Sequence, residues 1–231
     1  MILEFSFVRG VLEKLITLII KLVDMLKVSA VTIENLKNNK FVNDLPEFYE
    51  LKNVIENNSW HNNDSVFNHT LAVLEKLEDL FKKANNRINS YLNQIVDRNT
   101  KKQLLFLGAI FHDIAKKETI VKNVNLTSCP KHEELGSVKV KNILDRIDLS
   151  ETEKDIVVEI IKHHGSIHII LDPKNDKLEE QYRNFKSNNP NIFLELILLA
   201  MADTLGSQLK DNSPDEFNFR MNFYNKIIAN Y

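Results

Sequence analysis

The chain has 231 residues, 43% of them hydrophobic and 27% charged, which suits one domain with a sizeable core and excludes wholesale disorder. Its net charge of −2 argues against a global positive field for nucleic acid, although a local basic groove stays open. The single cysteine, Cys129, excludes a disulfide framework and a cysteine-rich zinc module, and points to a reducing, cytoplasmic setting.

Residues 1–28 are strongly apolar but interrupted by Glu4, Arg9, Glu13, Lys14, Lys21, Asp24 and Lys27. The longest uncharged run there, 15–20, is far short of the roughly 20 apolar residues of a membrane span. There is no small-residue cleavage site of the kind that ends a signal peptide. The expectation is an amphipathic helix docked on the protein; a membrane-surface helix and a dimer interface are the other uses of such a face. Helices are expected over 31–38 and 46–56, the second opened by Pro46. Together these make an N-terminal helical extension, residues 1–57, ahead of a main domain over 58–231. Only 5 glycines and 5 prolines occur, too few for most strand-and-turn architectures, so the fold is expected to be all-α. The Asn-rich stretch 57–64 is expected as a loop. A helix over 66–83, capped by Asp64 or Ser65, buries Val66, Phe67, Leu71, Val73, Leu74, Leu77 and Leu80 and carries His69. Residues 87–96 form a helix or a polar insertion, 101–115 a central apolar helix, and 116–131 a loop. Helices follow over 132–147 and, capped by Ser150, over 151–162, the latter stopping at His163-His164-Gly165, where glycine suits a helix end. Residues 166–170 are too short to assign, and 172–191 are a polar insertion with room for one helix. Residues 192–209 are apolar around Asp203, and Pro214 opens a last helix.

Chemistry concentrates at Phe111-His112-Asp113-Ile114-Ala115-Lys116. The apolar helix before it delivers an imidazole and a carboxylate into or beside the core, where charge is costly unless paired or metal-bound. Asp203 sits inside a second apolar helix with no lysine or arginine within a turn, and His69 sits on a third. A divalent ion would neutralise both aspartates, with imidazoles completing its shell; Fe, Mn, Co, Ni and Zn all suit mixed His/Asp ligation.

His69, His112-Asp113 and Asp203, in that order, resemble the H…HD…D signature of the HD-domain phosphohydrolase superfamily, most closely the HD domain of bacterial tRNA nucleotidyltransferases and the stand-alone HD hydrolases. The likeness runs from Trp60 to Gln208. It includes Trp60-His61 ahead of Phe67-Asn68-His69-Thr70-Leu71, the dyad with Ile114-Ala115-Lys116, His132-Glu133 with Gly136-Ser137, and Ala202-Asp203 with Gly206. The resemblance implies a helical bundle built around one or two divalent ions. His69, His112, Asp113 and Asp203 would be ligands. His132 and one of His163 and His164 would serve a second ion, with Asp113 bridging. Neighbours on a helix diverge by about 100 degrees, so one of that adjacent pair points inward, and the sequence leaves open which. His61 and His168 match no metal position and are expected at the surface or rim. Lys116 would face the substrate phosphate, and Arg146 is a second phosphate-clamp candidate.

The implied function is metal-dependent hydrolysis of a nucleotide or related phosphoester, whether phosphomonoester, cyclic phosphate or dinucleoside polyphosphate. Asp113, Lys116 and His132 would be catalytic. Ile114-Ala115-Lys116-Lys117 lacks the acidic pair of guanosine-tetraphosphate hydrolases, no Gly-Tyr-Pro follows His163-His164 as in cyclic-di-GMP phosphodiesterases, and no nucleotidyltransferase motif lies upstream. The expected partner is a small phosphorylated molecule, with self-association through the N-terminal helix as an option. The alternative is a non-catalytic RNA- or protein-binding module of the same fold, with Lys82, Lys83, Arg87, Arg98, Lys101 and Lys102 as its basic face. A third reading leaves the histidines as scattered structural residues.

Overall fold

The computed structural model describes residues 25–231. The helix expected over 1–28 therefore lies outside the described residues except for its last four. Of these, Leu26 exchanges backbone hydrogen bonds with the segment around Ile147, donating to Arg146 O and accepting from Asp148 N, both at 2.9 Å. A 3₁₀ turn and the short helices α1 (Ile33–Lys37) and α2 (Pro46–Glu50) follow. Thr32 caps α1 by accepting from Asn35 N. The helix expected to reach residue 56 stops early, because Ile55–Asn58 instead forms strand β1, paired antiparallel with β2 (His61–Ser65). The Asn-rich stretch is thus a ribbon, not a loop; its register shifts between Glu56 and Asn57, and Asn63 takes up the left-handed conformation (φ 54°) that asparagine tolerates.

Ser65 caps the long α3 (Val66–Lys83) by accepting from Asn68 N, and α4 (Asn86–Leu92) and α5 (Lys101–Phe111) follow. The segment 116–131, expected as a loop, contains α6 (Lys116–Thr119) and a second ribbon, β3 (Val121–Asn123) with β4 (Leu126–Ser128). Side chains tie the two ribbons together: Asn57 N donates to Thr127 Oγ1 at 2.7 Å and Asn57 Nδ2 to Asn125 O at 2.6 Å. Then come α7 (His132–Leu144), α8 (Glu151–His163), α9 (Ser166–Ile170), α10 (Leu178–Asn188), α11 (Phe193–Gly206), α12 (Leu209–Asn212) and α13 (Pro214–Ala229). Ser150 and Glu153 form a reciprocal capping box at the start of α8.

Two helices are buried almost all round, which fits their nearly continuous apolar sequence. Every residue of α11 from Phe193 to Thr204 is buried, as are most of α5. Helix α3 packs along α11, α8 bridges α5 and α7, and α13 closes over α11. The core runs unbroken from Val28 to Tyr224, so the elements ahead of β1 share it. The fold is all-α apart from the two ribbons, and no helix among the described residues is long and apolar enough to cross a membrane.

Candidate metal centre

Four helices converge where α3, α5, α8 and α11 meet. α3 presents His69 one turn in. The C-terminal end of α5 presents His112, and the turn beyond it Asp113. His164 ends α8, and Asp203 lies three residues before the end of α11. His132, the first residue of α7, closes the ring. His69 Nε2 lies 2.9 Å from Asp203 Oδ1 and 3.8 Å from Asp113 Oδ2. His112 Nε2 lies 3.1 Å from the same Asp113 Oδ2. The other oxygen, Asp113 Oδ1, faces His132 Nε2 at 3.3 Å and His164 Nε2 at 3.8 Å. Asp113 thus stands between two groups that could each hold an ion, His69/His112/Asp203 and Asp113/His132/His164, the ligand atoms of each group all lying within 4.8 Å of one another.

The hydrogen bonds fit these residues to a cation. His112, His132 and His164 each direct Nδ1 at a backbone carbonyl, of Ala109 (2.7 Å), Cys129 (2.7 Å) and Ile161 (2.6 Å). A carbonyl only accepts, so each Nδ1 carries the proton and each Nε2 offers its lone pair inward, the arrangement that orients metal-binding imidazoles. His132 Nε2 and His164 Nε2 then confront one another at 3.3 Å, acceptor to acceptor, unless a positive charge lies between them. His112 Nε2 is buried without a hydrogen-bond partner, which costs free energy that ligation would recover. Burial opposes an imidazolium at His112 and at His132, yet Asp113 outweighs it and raises both pKa values. Positive charge is favoured at both Nε2 positions. At His164 burial prevails, helped by His112 and His132, and the pKa is driven down. Burial also opposes ionisation of Asp113 and Asp203, but His112 and Lys116 hold the first, and His168 and His69 the second, well below the usual carboxylate range. With the imidazoles neutral, Glu56, Asp113 and Asp203 against Lys116 leave the buried centre two negative charges in excess, the charge a divalent ion neutralises.

The comparisons agree with this geometry. The family model of the HD domain matches residues 66–206, more than half of the chain. The chain belongs to the HD domain family. Among curated relatives it is 26% identical over 161 residues to the bifunctional uridylyltransferase/uridylyl-removing enzyme of Hydrogenovibrio crunogenus, covering 69% of this chain and 17% of that one. It is 25% identical over 141 residues to the protein of the same name from Haemophilus influenzae, covering 61% and 15%. With the Bordetella pertussis protein it shares 24% over 165 residues, covering 71% and 18%. The chain thus spans less than a fifth of the length of the relatives it matches. Membership in the HD family points to metal-dependent phosphohydrolase chemistry, and the His/Asp groups able to hold a metal are in place.

Over the HD centre opens a cleft of about 380 Å³, a size that suits a small ligand. Lys116 lines it, its Nζ 2.9 Å from Asp113 Oδ2. Of the adjacent histidines, His164 points inward; His163 turns away to Glu159, Nε2 to Oε2 3.2 Å, and does not reach the cluster. Arg146 is not brought to the cleft either: it pairs with Glu47 at 2.8 Å on another face, because it lies beyond the end of α7, far along the chain from His132. Of His61 and His168, expected at the surface or rim, His61 is instead buried, and both line the cleft close to the ligand candidates. His168 Nε2 lies 3.0 Å from Asp203 Oδ2, and His61 is buried with its ring 4.5 Å from that of His69. Burial, then His69 and Lys116, push the pKa of His61 down to about 3, so it is neutral at ordinary pH. Sequence reasoning also missed Glu56, Trp60 and Arg220, all of which line the cleft. Arg220 is spent on Glu216 and on the His168 carbonyl, with its guanidinium over the Trp60 ring. Cys129 lines the cleft too, but burial and Glu56 push its thiol up to about 12, too high for a thiolate nucleophile near neutrality.

Proposed function

We propose that this protein is a metal-dependent phosphohydrolase acting on a nucleotide or a related phosphoester. The observation that carries the reading is the convergence on Asp113 of two His/Asp groups, with His112 Nε2 buried without a hydrogen-bond partner and the Nε2 atoms of His132 and His164 facing one another at 3.3 Å. His69, His112, Asp113 and Asp203 would hold one ion, and Asp113, His132 and His164 a second. A divalent cation held there supplies Lewis acidity: it polarises a phosphoryl oxygen and makes water a competent nucleophile near neutral pH.

The chain's own residues do the rest. The Lys116 ammonium, kept protonated by Asp113 and Glu56 against the cost of burial, offsets phosphate charge at the cleft. The half-buried Trp60 and the exposed Ile169 give the cleft an apolar wall that keeps water from one side of a bound ligand. Where a second ion does not take His132, this imidazole holds a proton on Nε2 beside Asp113 Oδ1 and is placed to protonate a leaving oxygen. The name of the relatives includes uridylyl removal, which adds a nucleotidyl phosphodiester to the phosphomonoesters, cyclic phosphates and dinucleoside polyphosphates suggested by the signature. The basic residues of the alternative RNA-binding reading are largely engaged: Arg98 pairs with Asp148 at 2.6 Å, Lys101 lies over Tyr91 and Lys102 over Phe81.

The test is elemental analysis of protein purified without chelator, then a screen of these phosphoesters with Mn, Fe, Co, Ni and Zn. Bound metal with turnover of at least one nucleotide is expected. Absence of both overturns the reading and favours the binding module.

A further inference from the structure

Lys116 is held by two carboxylates, and the two have different meanings. Its Nζ lies 2.9 Å from Asp113 Oδ2 and 2.7 Å from Glu56 Oε2. The first contact is the local default, since residues three apart on one helical turn face each other. The second joins residues 60 apart in sequence and exists because β1 turns the Glu56 side chain inward, leaving the residue only 3% exposed. Placing a carboxylate there has a desolvation cost that nothing in a short ribbon requires. Its partners in the described residues are Lys116, the weak donor Cys129 Sγ at 3.7 Å, and His61 Nε2 at 3.5 Å.

Asp113 Oδ2 is the oxygen turned toward His69 Nε2 and His112 Nε2, at 3.8 and 3.1 Å. An ammonium on that oxygen and a divalent ion among those imidazoles claim the same lone pairs and repel each other across a few ångströms of low-dielectric interior. A lysine at this position is compatible with an ion only if something else anchors its charge. We propose that Glu56 is a positioning residue that tethers the Lys116 ammonium from the ribbon side. Without an ion the ammonium is shared by both carboxylates; Glu56 would hold it at the cleft, facing an anionic phosphoester, when a divalent ion takes Asp113 Oδ2. The inference rests on the reading above that the centre holds such an ion. It assigns a reason to the ribbon itself: β1, cross-linked to β4 through Asn57 and Thr127, is the frame that fixes the Glu56 carboxylate.

The test is a double-mutant cycle read in Mn²⁺ affinity rather than in turnover. Wild type, Glu56→Gln, Lys116→Met and the double variant are titrated with Mn²⁺ alone by calorimetry at one pH and ionic strength, and each metal-free protein is melted to report folding. In the wild-type background Glu56→Gln is expected to weaken Mn²⁺ binding about tenfold, because the freed ammonium settles on Asp113; without Lys116 the same change is expected to cost less than about threefold. Lys116→Met alone is expected to bind Mn²⁺ at least as tightly as wild type. An equal effect of Glu56→Gln in both backgrounds, or no effect in either, overturns the proposal. Should Glu56→Gln melt too low to titrate, Glu56→Asp shortens the tether and keeps its charge. A loss that depends on Lys116 supports the proposal there, and an equal loss in both backgrounds overturns it. Wild type that binds no Mn²⁺ or other divalent ion defeats the hydrolase reading and this inference together, whereas tight wild-type binding without coupling defeats this inference alone.

Discussion

Replacing Gly206 by alanine should both destabilise the protein and spoil its centre, and the structure sets the scale. A Cβ on Gly206 would lie 2.9 Å from Val73 N and 3.1 Å from Val73 Cα, which are backbone atoms of α3 and cannot swing aside. Carbon contacts settle near 3.5–4.0 Å, so α3 and α11 must part locally by roughly 0.6 Å. Overpacking of this kind costs roughly 1–3 kcal/mol. Alanine recovers at most about 1 kcal/mol of helix propensity over glycine, and less here, because Gly206 is the last residue of α11. The net loss of about 1–2 kcal/mol should lower the melting temperature by roughly 2–8 °C for a chain of this size. The displacement falls one turn from the chemistry: Val73 follows His69 by four residues, Gly206 follows Asp203 by three, and His69 Nε2 meets Asp203 Oδ1 at 2.9 Å across the same helix contact. Metal–ligand distances tolerate only about 0.2 Å, so Mn²⁺ affinity should fall at least about tenfold, in the range of lost ligand support. Thermal melts of metal-free protein and Mn²⁺ titration measure the two effects. A melting temperature equal to or above wild type with unchanged affinity would show that the approach of α3 and α11 does not set the ligand spacing.

Three further outcomes are expected. Asp113→Ala removes the carboxylate between the two His/Asp groups and should lower turnover about a thousandfold or more, with reduced metal content by elemental analysis; retained turnover would place the chemistry elsewhere. His164→Gln should weaken metal binding, while His163→Gln, which loses only the contact with Glu159, should leave it within about twofold, as titration of both variants would reveal. Glu195, buried in α11 with the Tyr91 hydroxyl at 3.1 Å from each carboxylate oxygen, has its pKa raised above 4.5 by burial, which outweighs Lys101 and Tyr91. A carboxyl raised in the folded state stabilises fully below its unfolded value and loses that contribution as pH climbs through the folded value, so the advantage of Glu195→Gln in melting temperature should grow from about pH 5 to about pH 8; a constant difference across that range would refute the assignment.

The helices and the ligand candidates on long elements were legible because burial and periodicity write themselves into the sequence. His69 in an amphipathic stripe, His112-Asp113 at the end of an apolar run, and Asp203 without a nearby cation each announced a charge needing a partner. The adjacent histidines were ambiguous for a physical reason: both sit where α8 ends, and only the packing of α8 against α5 and α7 selects His164. Reading Gly165 as a helix stop concealed more. Its φ is −75°, right-handed and ordinary, and α9 begins at the next residue. A Cβ there would meet only the Glu133 side chain, 2.2 Å from its Oε1. Had the helical path been continued through it, His168 would have fallen four residues after His164, on the same face, and its approach to Asp203 would have been a reasonable guess. The ribbons had no such signal. Asn57-Asn58-Ser59-Trp60-His61-Asn62-Asn63 has no alternation and only Trp60 for apolar content, and its antiparallel pairing is braced by Asn57 N donating to Thr127 Oγ1 of a second ribbon, 70 residues away. A buried carboxylate delivered by a polar ribbon is invisible to any rule that looks for charge among apolar neighbours, and this is why Glu56 emerges only once Lys116 is seen to have two anions within 3 Å. The part of the site that sequence missed is therefore the second carboxylate on Lys116, and a lysine placed between two carboxylates would make a cation at Asp113 chemically consistent with an ammonium beside it.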